Sequence, residues 1–110
     1  MPSISYLGEF EQMVLLAILQ GGDEANALQV RRELEASANR SVSKGAFYTT
    51  LDRMEKKGYL TWSAQATDQV RGGLPQRYFK VTPEGIVELQ KSREALMRLW
   101  RDLDRVLEPR

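Results

Sequence analysis

Lys44, Gly45, Tyr48, Thr49 and Asp52 follow one another at steps of one, three, one and three residues in the segment SVSKGAFYTTLDRMEKKGYL, residues 41–60. On a helix that spacing gathers them on one face. An ammonium, a phenol, a hydroxyl and a carboxylate beside a bare glycine make a poor catalytic set but a serviceable hydrogen-bonding one. Small residues let a surface approach a phosphate backbone, and the polar groups can reach base edges. Taken alone, the same face is equally that of an ordinary surface helix. The chain has no histidine and no cysteine. The commonest general base and metal ligand are therefore missing, as are thiolate sites and disulfides. The acidic residues alternate with basic ones as on solvated helix faces. No enzyme activity, metal or cofactor is expected.

The element that presents this face needs an inward stripe, a start and a stop. Phe47, Leu51 and Met54, with Ala46 and Thr50 beside them, supply the stripe. Ser43 suits the N-cap, and Gly58 ends the helix after Lys56 and Lys57, where cations favour the negative end of the dipole.

Upstream, a first helix is expected from about Gly8 to Gln20. Its stripe of Phe10, Met13, Val14, Ala17 and Ile18 is widened by Leu15, Leu16 and Leu19, as in a central helix covered on several sides. Gly21-Gly22-Asp23 ends it. A second helix is expected from about Ala25 to Ala38, with Ala27, Val30, Leu34 and Ala38 inward and either Asp23 or Asn26 as cap. A polar turn, 39–42, with Val42 as its apolar plug, leads into the Ser43 helix. Two short helices joined by a tight turn form a helix-turn-helix pattern.

Downstream the period becomes two. Leu60, Trp62 and Ala64 alternate with Tyr59, Thr61 and Ser63, which predicts a half-buried strand. Residues 66–75 are a polar connection, and a second strand runs from Gln76 to Val81. The tip of this hairpin carries Arg71-Gly72-Gly73, and its return strand begins Gln76-Arg77. Arginine beside glycine suits phosphates or a narrow minor groove, although hairpin tips are commonly just solvated.

Thr82 and Pro83 open a last helix predicted to reach about Leu107, roughly 37 Å at 1.5 Å per residue. Leu89, Leu96, Trp100, Leu103 and Leu107 lie close to a heptad seam, with Ile86 upstream. The rest of the domain is too small to cover such a helix, so its distal half is expected to pack on a second copy.

The 110 residues, 42% hydrophobic and 28% charged, fit one soluble domain. No apolar run approaches the roughly 18 residues that cross a membrane, and no signal peptide is apparent, so a cytoplasmic place is expected. The net charge is +1, unevenly spread. Residues 1–39 hold two basic and six acidic groups, residues 40–80 eight and three, and residues 81–110 six of each. The positive charge centres on the Ser43 helix, as in a nucleic-acid binder.

In order and spacing, LGEFEQMVLLAIL (7–19), VSKGAFYTTLDRMEKKGYL (42–60) and GLPQRYFKVTPEG (73–85) resemble the PadR family of bacterial transcriptional regulators. The resemblance covers nearly the whole chain. The family's wing usually reads G-R-P-R/K-x-Y; Leu74 and Gln76 replace its basic residues here, which moves the expected wing contacts to Arg71 and Arg77. The family's His/Tyr-Gly-Tyr-like turn before helix two is replaced by Asp23-Glu24-Ala25-Asn26. The resemblance implies a homodimer joined through the last helix, with helix one contributing. It also implies a repressor that responds to a small, flat, hydrophobic aromatic molecule. Trp100 reads first as an interface residue; the resemblance adds a role in lining an effector site, together with Leu96 and Phe10.

The expected fold is mainly α with a small two-stranded β-wing: a winged helix-turn-helix (residues 1–82) followed by a long C-terminal dimerisation helix (83–110). The expected function is a dimeric, sequence-specific regulator on a pseudo-palindromic double-stranded DNA operator. Ser43, Lys44, Gly45, Tyr48, Thr49, Asp52, Arg53, Arg71, Gly72, Gln76 and Arg77 are the expected DNA contacts. Leu89, Leu96, Trp100, Leu103 and Leu107 are the expected dimer contacts. The rival reading is a winged-helix module that docks a partner protein. The basic middle of the chain argues against it unless that partner is acidic.

Overall fold

The computed structural model describes residues 5–65 and 76–108. The order is α1 (Glu9–Gly21), α2 (Ala27–Ala38), α3 (Lys44–Lys56), β1 (Leu60–Gln65), β2 (Gln76–Val81) and α4 (Pro83–Trp100). The two strands form an antiparallel ribbon, with Leu60 opposite Val81 and Gln65 opposite Gln76. This is the mainly helical, winged arrangement expected.

Each helix start has a physical cause. At α2 the choice falls on Asn26, whose side chain accepts from the Gln29 N–H at 2.9 Å. Asp23 lies in a short 3-10 turn, Gly22–Glu24. Ser43 Oγ accepts from the Ala46 N–H at 3.2 Å, and Thr82 Oγ1 from the Gly85 N–H at 3.0 Å. The end of α3 is set by Gly58 at φ +83°, which lets the Tyr59 N–H return to the Met54 carbonyl at 2.9 Å.

The core lies where α1, α2, α3 and the base of the wing meet. Val14, Leu15 and Ile18 come from α1, Val30 and Leu34 from α2, and Phe47, Leu51 and Met54 from α3. Leu60, Phe79 and Leu89 close it. Val42 packs against it from the turn, as expected, whereas Ala38 is exposed. An isolated bridge ties the chain before α2 to the wing: Asn26 pairs with Tyr78, and the Phe79 N–H donates to the Ala25 carbonyl at 2.9 Å.

Two expectations are corrected. The first strand is not half-buried. Only Leu60 is covered, because β1 leaves the body after its first residue. The last helix also stops early, at Trp100. Asp102 follows at φ +60°, and residues 104–107 form a 3-10 turn. Aspartate tolerates the left-handed conformation and competes for backbone groups, and no packing rewards a longer helix there. Leu103 and Leu107 therefore lie off the helix. Leu89 is buried in the chain's own core rather than in an outward seam. Apart from Val87, the exposed large apolar residues of α4 lie further along, at Leu96, Met97, Leu99 and Trp100.

The start of α4 is stitched to the end of α3. Thr82 Oγ1 donates to the Gly58 carbonyl at 2.6 Å, and the Thr82 N–H to the Tyr59 carbonyl at 3.0 Å. Gly85 is buried beside them, and a Cβ there would drive into the Tyr59 carbonyl oxygen. Backbone cannot yield as a side chain can, so Gly85→Ala is expected to cost about 1–3 kcal/mol in a denaturant titration.

Candidate nucleic-acid interface

The outward face of α3 is as expected: Ser43, Lys44, Gly45, Tyr48, Thr49, Asp52 and Arg53 are all exposed, while Phe47, Thr50, Leu51 and Met54 are buried. Thr50 satisfies its buried hydroxyl by donating to the Ala46 carbonyl at 2.9 Å. Tyr48 meets the Phe47 ring edge-on, 5.5 Å between centroids, which ties its aromatic body to the core while the residue stays exposed. Gly45 is exposed, and a Cβ built on it would meet nothing within 4 Å. The chain's own packing therefore does not require a glycine there, although glycine in a helix costs about 0.5–1 kcal/mol relative to alanine.

These residues divide between two shoulders of the helix. Lys44 and Tyr48 join Gln76 and Arg77 of β2, the α2 cap Asn26, and Leu28 and Arg31 of α2 around an open groove of about 800 Å3. Thr49, Asp52 and Arg53 lie instead with Lys56 and Lys57 along a shallower groove of about 440 Å3. The wing side of the first groove is fixed by the Asn26 Nδ2–H, which donates to Gln76 Oε1 at 3.0 Å. Arg77 sits over the Trp62 ring, with its guanidinium carbon 4.4 Å from the centroid. Arg71 and Gly72, the expected wing-tip contacts, lie outside the described residues.

Three residues escape the sequence reading. Asn26 and Arg31 bring α2 to the groove, and Arg31 also reaches the Val42 carbonyl at 3.5 Å, spanning the turn into α3. Glu11 is the third. Its side chain, 12% exposed, accepts from the Gly8 N–H at 3.0 Å, from Arg53 at 3.2 Å and from Lys57 at 3.5 Å. Arg53 is thus drawn towards α1 rather than standing free beside the Lys44 face.

Burial pushes the Glu11 carboxyl up. The Gly8 hydrogen bond, the Arg53 hydrogen bond and the charges of Lys57 and Arg53 outweigh it, and the group is held below its ordinary value. Among the described residues no group of three or more acidic, histidine or cysteine side chains could hold a metal ion. No helix there is long and apolar enough to cross a membrane. Of the residues expected around an effector, Phe10 is half-buried beneath Arg40, 5.1 Å from the ring centroid. Leu96 and Trp100 are exposed on the last turns of α4. The three share none of the grooves named above.

A helix-turn-helix whose second helix shares a groove with a two-stranded wing defines the winged-helix class. The model of the PadR-like transcriptional regulator family matches residues 15–91. The chain belongs to that family. Among solved structures it is similar to a PadR-like transcription factor from Bacteroides fragilis, at 22% identity over 88% of each chain and a TM-score of 0.68. It is also similar to a PadR-like transcriptional regulator from Bacillus cereus, at 21% identity over 92% of this chain and 93% of that one, TM-score 0.69. A PadR family transcriptional regulator from Eggerthella lenta matches at 22% identity over 93% and 88%, TM-score 0.64. No curated protein matches the sequence significantly.

Glu11 carries a pH-dependent prediction. A carboxyl whose folded value is depressed stabilises the fold above its unfolded value, and that stabilisation is lost as pH falls through the folded one. Glu11→Gln keeps an acceptor for Gly8 but loses the charge facing two half-exposed cations. It is expected to cost about 1 kcal/mol at pH 7. Parallel thermal melts should show the gap between wild type and variant closing as pH drops below the usual carboxylate range.

Proposed function

We propose that this chain is a dimeric, sequence-specific DNA-binding transcriptional regulator, a repressor released by a flat, hydrophobic aromatic molecule. Residues 1–82 form the DNA-binding part, and residues 83–110 join two copies. Lys44, Gly45, Tyr48, Thr49 and Ser43 enter the major groove, with Asp52 and Arg53 at its edge. The wing reaches the backbone or minor groove through Arg77 and Gln76, and through Arg71 and Gly72 at its tip.

One observation carries this reading. Lys44 and Tyr48 open on the same groove as Gln76 and Arg77, beside a glycine whose bareness the chain's own packing does not need. A cation, a phenol, an amide and a guanidinium around one groove fit a phosphate-lined surface, and the glycine permits close approach. Dimerisation draws support from the exposed Leu96, Met97, Leu99 and Trp100, followed by Leu103, Val106 and Leu107. The effector would lie near Trp100 and Leu96, with Phe10 contributing.

Two-fold symmetry predicts a pseudo-palindromic operator with half-sites about 10–10.5 base pairs apart. Fluorescence anisotropy with duplex DNA from upstream of the chain's own coding region is expected to show tight binding that weakens as salt rises. Equal affinity for a mixed-sequence duplex at every salt concentration would rule out the regulator reading. The double variant Lys44→Ala/Tyr48→Ala is expected to lose operator preference while sedimenting as the wild type does; full preference would place the reading face elsewhere. Charges at the exposed end of α4, Leu96→Glu with Trp100→Glu, should yield a monomer in analytical ultracentrifugation.

A further inference from the structure

Trp62 and Arg77 stand on opposite strands of the wing, and neither belongs to the core. In the register, Trp62 faces Phe79 and Arg77 faces Ala64. Residues directly opposite one another project from the same face of a ribbon. Leu60, Trp62 and Ala64 therefore share a face with Val81, Phe79 and Arg77. That face begins against the core, where Leu60 and Phe79 are buried, and continues outward past it. Trp62 and Arg77 are diagonal neighbours at this outer end, a spacing that long side chains can bridge. The guanidinium carbon of Arg77 lies 4.4 Å from the Trp62 centroid, while Trp62 keeps 38% of its surface exposed. Ser63, Ala64 and Gln65 beside it are exposed too. A tryptophan here does little for the core, and its ring face is occupied by one arginine.

We propose that Trp62 is the positioning residue of the wing. Its ring holds the Arg77 guanidinium as a phosphate-binding fork in the groove that Lys44 and Tyr48 also line. The ligand is a phosphodiester of duplex DNA, so the inference rests on the function proposed above and deepens it. A guanidinium stacked on an aromatic ring keeps its N–H donors in its own plane, directed past the ring edge. That fork matches two phosphate oxygens. A free arginine gives up rotamer entropy when it binds, and stacking it beforehand removes part of that loss. Trp62 thus strengthens binding by acting on Arg77, without touching DNA.

Phosphate contacts do not depend on sequence, so a mixed-sequence duplex at low salt is a sufficient probe. Anisotropy titrations compare wild type with Arg77→Ala, Trp62→Ala, Trp62→Phe, Trp62→Leu and the double variant Trp62→Ala/Arg77→Ala. The two alanine variants should each bind about three- to tenfold more weakly. The double variant should lose no more than either single one, since both changes remove one contact. Trp62→Phe, which keeps a π face, should retain most of the affinity. Trp62→Leu, apolar but without one, should behave as Trp62→Ala. Arg77→Ala should also lower the salt slope by about one. Unchanged thermal melts confirm that these exposed changes leave the fold intact.

Wild-type binding by Trp62→Ala when Arg77→Ala is weakened overturns the proposal, and so do losses that add in the double variant. Unchanged binding by Arg77→Ala overturns it as well. Lys44→Ala/Tyr48→Ala then separates the two readings: if that variant is weakened, the groove still binds DNA and only the role of Trp62 fails.

Discussion

The Glu11 carboxylate lies where α1 begins and α3 ends, and it ties the two helices together. The N-cap of α1 is a glycine with no side chain to offer, so Glu11 closes the first turn by accepting from the Gly8 N–H. Its second oxygen takes Arg53 in the last turn of α3 and Lys57 at its C-cap, the helix end where cations are favoured. A carboxylate this covered is costly without partners, which makes the three contacts mutually dependent. Together with the buried stripe of α3 they hold the roll of that helix about its axis. Phe47, Leu51 and Met54 face the core and Arg53 and Lys57 turn to α1, which leaves Lys44 and Tyr48 on the shoulder towards the wing.

The wing is fixed from the other side. The stretch before α2 departs from the usual family pattern, yet Ala25 and Asn26 bond directly to β2. Asn26 serves two elements at once, capping α2 through its oxygen and holding Gln76 through its amide nitrogen. The groove is therefore bounded by pieces tied to one another near its base, and its separation from the cations at the far end of α3 follows from the same ties.

What the sequence discloses divides along a physical line. The three helices, the wing strands and the caps at Ser43 and Thr82 were legible, because periodicity and capping are local. Local signals do not choose between Asp23 and Asn26 as the cap of α2, because Gln76, the polar partner that also holds Asn26, lies fifty residues later. Alternation told which face Trp62 shares with Leu60, but not that the strand runs past anything able to cover it. The heptad spacing near the C-terminus ran on through Leu103 and Leu107, since apolar spacing does not register the left-handed turn at Asp102. Glu11 carries no signal of its own in the sequence, and Arg53 reads there as a DNA contact. Their pairing spans forty-two residues and leaves no mark in either helix's pattern.

The close approach of Gly85 to Tyr59 leaves α3 and α4 without a hinge between them. The carbonyls of Gly58 and Tyr59 are both engaged by Thr82, and the gap beside Gly85 has no room for a methyl group. The end of α3 and the start of α4 thus meet at one tight elbow, with Lys44 near one far tip and Trp100 at the other. In a pair joined at the Trp100 tips, the distance between the two Lys44 ends would follow from the angle at that elbow. A tilt of a few degrees at one end is then carried to the other as a displacement rather than absorbed.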